Sequence, residues 1–124
     1  MQQRQTNIMI VDGSEVSRTI IARIPKSEID NVNITSCDSA KAALELLGNW
    51  ERFDLITTSL MLPDMDGLDL CTRIRSSERH HYTPVIVVSG DADSRLLREG
   101  FAAGVTDYFD KSSGYKAFVE FFKS

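Results

Sequence analysis

The sequence predicts an α/β fold in which a parallel sheet carries helices on both faces. Short apolar runs, each the length of a strand, alternate with segments whose apolar residues recur at helical spacing. Strict alternation of this kind is typical of a parallel sheet covered on both sides. The 124 residues suit a single domain, and a hydrophobic content of 42% is enough to build its core.

Five runs have the composition of strands. Four of them are mostly apolar or β-branched, as expected for strands that are buried on both faces. The second run alternates between its two faces, as expected for a strand nearer the sheet edge. The predicted strands are Ile8–Val11, Val32–Cys37, Leu55–Thr58, Val85–Val88 and Val105–Phe109.

A helical stripe follows each strand. We expect Pro25 to end the first helix or to limit it to a ragged last turn, because proline lacks the N–H of a helical hydrogen bond. Gly48 is predicted to end the second helix, and the fourth is expected to begin near Ala92 and to end before Gly104. The five stripes are Val16, Ile20, Ile21 and Ile24; Ala40, Ala43, Leu44 and Leu47; Leu70, Cys71 and Ile74; Leu97 and Phe101; and Tyr115, Phe118, Val119 and Phe122.

Right-handed crossovers between parallel strands leave few topologies for such a chain. We predict a flavodoxin-like, doubly wound sheet of five strands in the order 2-1-3-4-5, with five helices and a crevice between strands 1 and 3. Ligands of such sheets lie outside the carboxyl ends of the strands. The residues at the ends of strands 1, 3, 4 and 5 are Asp12, Ser59, Ser89 and Lys111.

Composition argues against several classes of protein. A net charge of −4 is unlike a nucleic-acid-binding surface, which is normally basic. No apolar run approaches the ~20 residues that span a membrane, and Met1–Asn7 is a polar tail without the apolar core of a signal peptide. Cys37 and Cys71 are isolated, so we expect buried, reduced thiols in a cytoplasmic protein. The adjacent His80 and His81 are interpreted as a solvated loop, because no third metal ligand is near.

Four motifs mark the strand ends: IMIVD at strand 1, LMLPDMDG after strand 3, VIVVSG at strand 4 and YFDK at strand 5. Through them the chain resembles the receiver domain of two-component response regulators, of the chemotaxis-regulator type, over essentially all 124 residues. The resemblance implies that a histidine kinase transfers a phosphoryl group to an aspartate at the end of strand 3. It also implies a magnesium ion held by that aspartate and by an acidic pair after strand 1.

Two positions depart from what the resemblance implies. Ser59 stands where the phosphate-accepting aspartate is expected, and Gly13 stands where the second acid of the pair is expected. A serine hydroxyl needs a base to take its proton, and the two histidines precede strand 4, at the opposite end of the sheet. We therefore expect neither phosphoryl transfer to residue 59 nor an enzymatic activity. Asp64 and Asp66 are interpreted as turn and helix-start residues.

Other parts of the implied site are kept. Asp12 matches the first acid of the pair, Ser89 the strand 4 hydroxyl that holds the phosphoryl group, and Lys111 the lysine that does the same. Tyr108 matches the aromatic residue that turns inward in the active state. Ser112 replaces the usual proline after the lysine, so we expect a trans bond there, because a non-proline cis bond costs ~3–4 kcal/mol.

The loss of two acids changes the electrostatics of the predicted crevice. With Asp12 and Lys111 as its charged residues, the crevice is close to neutral. Each lost carboxylate removes an attraction on the order of 4 kcal/mol per unit charge at ~4 Å and an effective dielectric constant of about 20. Magnesium requires hard oxygen ligands, so we expect weak or absent binding and no other cofactor. Lys111 is then predicted to pair with Asp12.

These observations predict a pseudo-receiver, a domain that signals through protein contacts without aspartate phosphorylation. The resemblance implies a partner face made by helix 4, strand 5 and helix 5, from Leu96 to Phe122. Its partners would be an output domain, a second receiver, a histidine kinase or a second copy of the chain. Because the last helix is short, we expect residues 1–124 to be the N-terminal fragment of a longer protein.

Two alternatives remain open at the level of sequence. In the first, a serine kinase phosphorylates Ser59 and adds about −1.5 to −2 of charge beside Lys111. In the second, the chain is an unrelated flavodoxin-like domain that binds a small molecule. Phosphopeptide mapping separates the first alternative from the pseudo-receiver, because a serine ester survives handling.

Overall fold

A computed structural model describes residues 4–49, 51–90 and 94–123 and confirms the alternating architecture. The predicted helix start at Ala92 and the side chain of Leu97 lie outside what it describes. The elements are β1 (Thr6–Val11), α1 (Glu15–Glu28), β2 (Val32–Cys37), α2 (Ala40–Gly48), β3 (Leu55–Thr58), α3 (Gly67–Ser76), β4 (Val85–Ser89), α4 (Ser94–Ala103), β5 (Asp107–Asp110) and α5 (Lys116–Lys123). A single 3₁₀ turn, Lys111–Ser113, connects β5 to α5.

The five strands form one parallel sheet in the order β2-β1-β3-β4-β5, as predicted. Its register aligns the carboxyl ends of the central strands: Val11 pairs with Thr58, and Thr58 pairs with Val87. The residues that follow these strands therefore emerge along one edge of the sheet. This edge is where ligands bind in open α/β folds.

Two apolar clusters pack against the opposite faces of the sheet. Successive residues of a strand point to opposite faces, so β1 contributes Ile8 and Ile10 to one cluster and Met9 and Val11 to the other. The first cluster includes Ile21 of α1 and Phe118 of α5, and the second includes residues of α2 and α3. Among the described residues, no helix is long and apolar enough to cross a membrane.

The two cysteines are free and buried in the cluster beneath α2 and α3, as predicted. Burial, with a smaller contribution from the neighbouring Asp38, raises the pKa of Cys37 to about 11. Burial also raises the pKa of Cys71. Because the thiolate is the reactive form, these shifts make both thiols less reactive than exposed ones at neutral pH.

Helix α1 ends one turn after the buried Pro25, which is one of the two predicted outcomes, and the Ile29 N–H donates to the Pro25 carbonyl oxygen at 2.9 Å. The missing proline N–H removes one helical hydrogen bond, and the Pro25 residue is buried. Two other details differ from the sequence prediction. Val16 and Phe101 were expected on core-facing stripes, yet their side chains are 70% and 68% exposed. Strand β5 begins at Asp107, although Val105 is buried as a core residue should be.

Candidate functional site at the carboxyl edge of the sheet

The predicted crevice residues follow neighbouring strands. Asp12 follows β1, where its N–H donates to the Cys37 carbonyl oxygen at 3.0 Å. Ser59 follows β3, where its N–H donates to the Val11 carbonyl oxygen at 2.9 Å. These two hydrogen bonds extend the sheet by one residue and fix the two backbones side by side. Ser89 ends β4 and is 8% exposed.

Asp12 and Lys111 form an ion pair across the crevice. Lysine Nζ lies 2.8 Å from aspartate Oδ2, and the Asp12 side chain is only 5% exposed. The ammonium also donates to Ser17 Oγ at 3.1 Å, and the Ser14 N–H donates to the second carboxylate oxygen of Asp12 at 2.9 Å. Both carboxylate oxygens therefore have partners within the protein, and the predicted pairing of the two residues is confirmed.

A second cation, Arg18, reaches the same place from α1. Its Nη1 donates to the main-chain carbonyl oxygen of Asp12 at 2.7 Å. Sequence reasoning did not include Arg18 in the site. Its position in the sequence could have placed it there. Arg18 lies one turn after Ser14, the residue that caps α1, and that turn lies directly beyond the end of β1.

The Ser59 hydroxyl is directed to a neutral partner. It donates to the Met61 carbonyl oxygen at 3.1 Å, and the Ser59 residue is half-buried. A carbonyl oxygen is too weak a base to activate an alcohol, so this contact does not prepare Ser59 for nucleophilic attack.

The loop between β3 and α3 passes very close to the Ser59 backbone. A Cβ atom built on Gly67 would lie 2.2 Å from the Ser59 carbonyl oxygen, so a side chain at residue 67 cannot be accommodated without moving the backbone. The Gly67 N–H donates to the Leu60 carbonyl oxygen at 2.7 Å, and Asp66 caps α3 through the Leu68 N–H. The prediction of Asp66 as a helix-start residue is confirmed.

Asp64 reaches the beginning of α2. Its carboxylate accepts the N–H groups of Ala40 at 3.0 Å and Lys41 at 2.9 Å. These two hydrogen bonds lower the pKa of the Asp64 carboxyl. Asp64 was predicted to be a turn residue, and its hydrogen bonds to α2 were not predicted. It joins the β3–α3 loop to α2.

The position of the missing second acid is closely packed. A Cβ atom on Gly13 would lie 3.2 Å from Pro63 Cδ and 3.5 Å from Pro63 Cγ. The loops after β1 and β3 are therefore in contact at this point. A larger residue at position 13 requires Pro63 to move by a few tenths of an ångström.

The end of β5 has its own capping arrangement. Asp110 accepts the Ser112 N–H at 2.8 Å and the Ser112 hydroxyl at 2.7 Å, and these bonds lower the pKa of the Asp110 carboxyl. The bond between Lys111 and Ser112 is trans, as predicted. Tyr108 packs against the cluster beneath α2 and α3, and its hydroxyl oxygen is buried. Its role as a switch, and that of Ser89 in holding a phosphoryl group, stay predictions.

The donor set of the crevice fits magnesium poorly. Its carboxylate, Asp12, is already paired with an ammonium group, and Gly13 and Ser59 offer no charged oxygen. Within residues 4–49, 51–90 and 94–123, no three His, Cys, Asp or Glu side chains lie close enough together to hold a metal ion. Magnesium prefers hard, anionic oxygen ligands in octahedral geometry, so these residues do not form its usual site.

The prediction of a solvated histidine pair is wrong for one member. His81 is exposed, but His80 is 1% exposed and lies before β4, at the opposite edge of the sheet from Ser59. A hydrogen bond to the Leu47 backbone holds the His80 ring inside. Two adjacent histidines on a loop gave no indication of which ring would turn inward.

Comparison with known proteins identifies relatives over most of the chain. A family model described as "Response regulator receiver domain" matches residues 8–123. Two-component response regulator ORR5 of Oryza sativa subsp. japonica is 31% identical over 105 residues, which cover 85% of this chain and 77% of the relative.

Solved structures share the fold. The phosphorylated cyanobacterial phytochrome response regulator RcpA has a TM-score of 0.84 at 21% identity, covering 97% of this chain and 90% of its own. The receiver domain of sensor histidine kinase PA1611 from Pseudomonas aeruginosa PAO1, solved with magnesium in its active-site cleft, has a TM-score of 0.77 at 21% identity. The two chains are covered to 97% and 98%, respectively.

Proposed function

The chain belongs to the response regulator receiver family of two-component signalling, and we propose that it acts there as a pseudo-receiver, without aspartate phosphorylation. The proposed role is non-enzymatic and cytoplasmic. The observation that carries the proposal is the 2.8 Å ion pair between Lys111 and Asp12. It neutralises the Asp12 carboxylate without a metal cation.

The chemistry of residue 59 supports the same proposal. An aspartate (reference pKa about 3.9) is an anion at neutral pH and attacks phosphohistidine directly, whereas a serine hydroxyl must first lose its proton. The Ser59 hydroxyl donates to a carbonyl oxygen, which cannot remove that proton. Histidine kinases therefore have no competent acceptor at this position.

Signalling would then depend on protein contacts. We assign these contacts to the face formed by α4, β5 and α5, from Leu96 to Phe122, with an output domain, a second receiver, a histidine kinase or a second copy as the partner. Two aromatic side chains on this face support the assignment, because Phe101 is 68% exposed and Phe121 is 37% exposed. Exposed apolar groups of this kind are common where proteins associate.

Magnesium titration by calorimetry tests the proposal. The wild-type protein should show weak or no binding, whereas the double variant Gly13→Asp/Ser59→Asp should bind measurably, because two carboxylates return to the crevice. Ser59→Asp alone is the control. It adds a charge at residue 59 but no side chain at residue 13, so it does not disturb the contact with Pro63. Wild-type binding as tight as that of the double variant would overturn the proposal.

A further inference from the structure

Arg75, in the last turn of α3, contacts two connections at the amino edge of the sheet, the edge where the strands begin. The first connection is the loop before β4, residues 80–83, and the second is the junction between α4 and β5, residues 104–106. Both connections lie outside the helices and strands. The junction ends one element of the α4, β5 and α5 face and begins the next, so its position affects the geometry of that face.

The loop is held by one nitrogen of the Arg75 side chain. Nη1 donates to the Thr83 carbonyl oxygen at 2.6 Å. The same nitrogen also donates to the carbonyl oxygens of His81 at 3.2 Å and His80 at 3.3 Å. In addition, His81 Nδ1 lies 2.6 Å from the Arg75 carbonyl oxygen. Hydrogen bonds from a charged donor are stronger than neutral ones, so the loop is firmly attached to this residue.

The junction is held by the other two nitrogens. Nε donates to the Gly104 carbonyl oxygen at 3.0 Å, and Nη2 donates to Thr106 Oγ1 at 3.3 Å. The arginine stem also packs closely against Gly104, because a Cβ atom built on this glycine would lie 2.7 Å from Arg75 Cγ. Gly104 has a φ of 94°, a conformation that favours glycine. The stem therefore fills the space that a side chain at residue 104 would need.

We propose that the Arg75 side chain couples the two connections, so that residues 80–83 and residues 104–106 open as one unit. Local opening in proteins involves such cooperative units. A partner that moves the end of α4 would then also loosen the loop at the amino edge. This consequence for partners rests on the proposed function, which assigns partner contacts to α4, β5 and α5, whereas the coupling itself is a property of the free chain. Coupling between two sites is reciprocal, so it can be measured from either connection.

Native-state hydrogen exchange, followed by NMR on the full chain, measures the opening of the loop. The reporter is the Thr83 amide, which donates to the His80 carbonyl oxygen at 3.2 Å, and the Ile10 amide in β1 reports global unfolding. Gly104→Ala places a methyl group against the arginine stem. It should raise exchange at Thr83 relative to Ile10 by about fivefold or more, the lower end of typical coupling between sites.

Gly114→Ala is the matched control for this substitution. Gly114 also has a left-handed backbone, with a φ of 76°, but nothing among the described residues lies within 4 Å of its new Cβ atom. It should therefore leave exchange at Thr83 unchanged relative to Ile10. Equal changes at Thr83 in the two glycine variants would overturn the coupling, because they would show an effect of backbone strain without a contribution from Arg75.

Arg75→Met tests whether the arginine carries the effect. In this background Gly104→Ala should no longer alter exchange at Thr83, whereas in Arg73→Met, at an exposed arginine of the same helix, the increase should persist. The same effect of Gly104→Ala with and without Arg75 would overturn the proposal. If Arg75→Met fails to fold, the two glycine variants in the wild-type background still decide. None of these results depends on magnesium binding in the crevice, so a failure here is distinguishable from a failure of the proposed function.

Discussion

The polar groups beyond the strand ends find their partners in different ways at the two edges of the sheet. At the carboxyl edge, the buried carboxylate of Asp12 is neutralised by Lys111, a residue from the other end of the chain. At the amino edge, Arg75 donates to four main-chain carbonyl oxygens, whereas the ring nitrogen of His80 has no partner among the described residues. The buried carboxylate at the carboxyl edge thus has its partners within the protein, whereas a buried ring nitrogen at the amino edge has none among the described residues.

The largest effect is expected from Gly67→Ala, which would disrupt the carboxyl edge alone. The new Cβ atom would lie 2.2 Å from the Ser59 carbonyl oxygen, so the loop must move. We expect a loss of about 3 kcal/mol or more in the free energy of unfolding, measured with urea. Gly48→Ala is the matched control, because nothing lies within 4 Å of its new Cβ atom. Equal stability of the two variants would show that the loop is not closely packed.

Arg75→Met would disrupt the amino edge. The guanidinium donates to the carbonyl oxygens of Gly104 at 3.0 Å and Thr83 at 2.6 Å, and methionine can replace its stem but not its donors. The expected loss of unfolding free energy is about 2–3 kcal/mol, since hydrogen bonds to charged groups are stronger than neutral ones. Arg73→Met, an exposed arginine on the same helix, should change it by less than about 0.5 kcal/mol. A similar loss in both variants would contradict a specific role for Arg75.

The Asp12–Lys111 pair allows a double-variant cycle. Lys111→Met leaves a buried carboxylate without its counter-charge, and should cost about 2 kcal/mol, below the ~3–5 kcal/mol of fully buried pairs because Lys111 is 21% exposed. Asp12→Asn in the same chain should recover part of this loss, with a coupling free energy of about 1 kcal/mol. Lys116→Met, an exposed lysine on α5, is the control. Additive effects of the two substitutions would mean that the pair does not stabilise the crevice.

The smallest effect is a pH dependence at the amino edge. Burial and the nearby Arg79 lower the pKa of His80 from its ordinary value of 6.5, so the folded protein favours the neutral ring. Below pH 6.5 the unfolded state then binds more protons than the folded state. The free energy of unfolding therefore decreases as the pH falls from 6.5 toward the folded-state pKa of His80. His80→Gln should reduce this loss between about pH 7 and pH 5 in urea unfolding, whereas His81→Gln should not. The same pH dependence in the wild type and in His80→Gln would assign the effect to other groups.

Local sequence patterns were sufficient to predict the parts of the structure that depend on residues nearby in the chain. The continuous apolar run of β1 and the spacing of Ala40, Ala43 and Leu47 predicted which side chains are buried. The order of strands followed from the alternation and from the handedness of crossovers. The assembly of Asp12 and Lys111 at one edge followed from that order.

Contacts that depend on the path of a loop were not predictable in this way. Asp64 bonds to the start of α2, 24 residues earlier, because the β3–α3 loop is drawn against the loop after β1. Arg18 contributes to the crevice through the direction of its side chain, and His80 turns inward because a carbonyl of α2 is available to it. Each depends on a partner that only the folded chain brings within reach.

Intact-mass spectrometry after incubation with acetyl phosphate and magnesium tests the central claim most directly. The wild-type protein is predicted to keep its mass, while Gly13→Asp/Ser59→Asp, in which both acids return, serves as the comparison. A stoichiometric gain of one phosphoryl group by the wild type, removed by hydroxylamine as an acyl phosphate would be, would contradict the account.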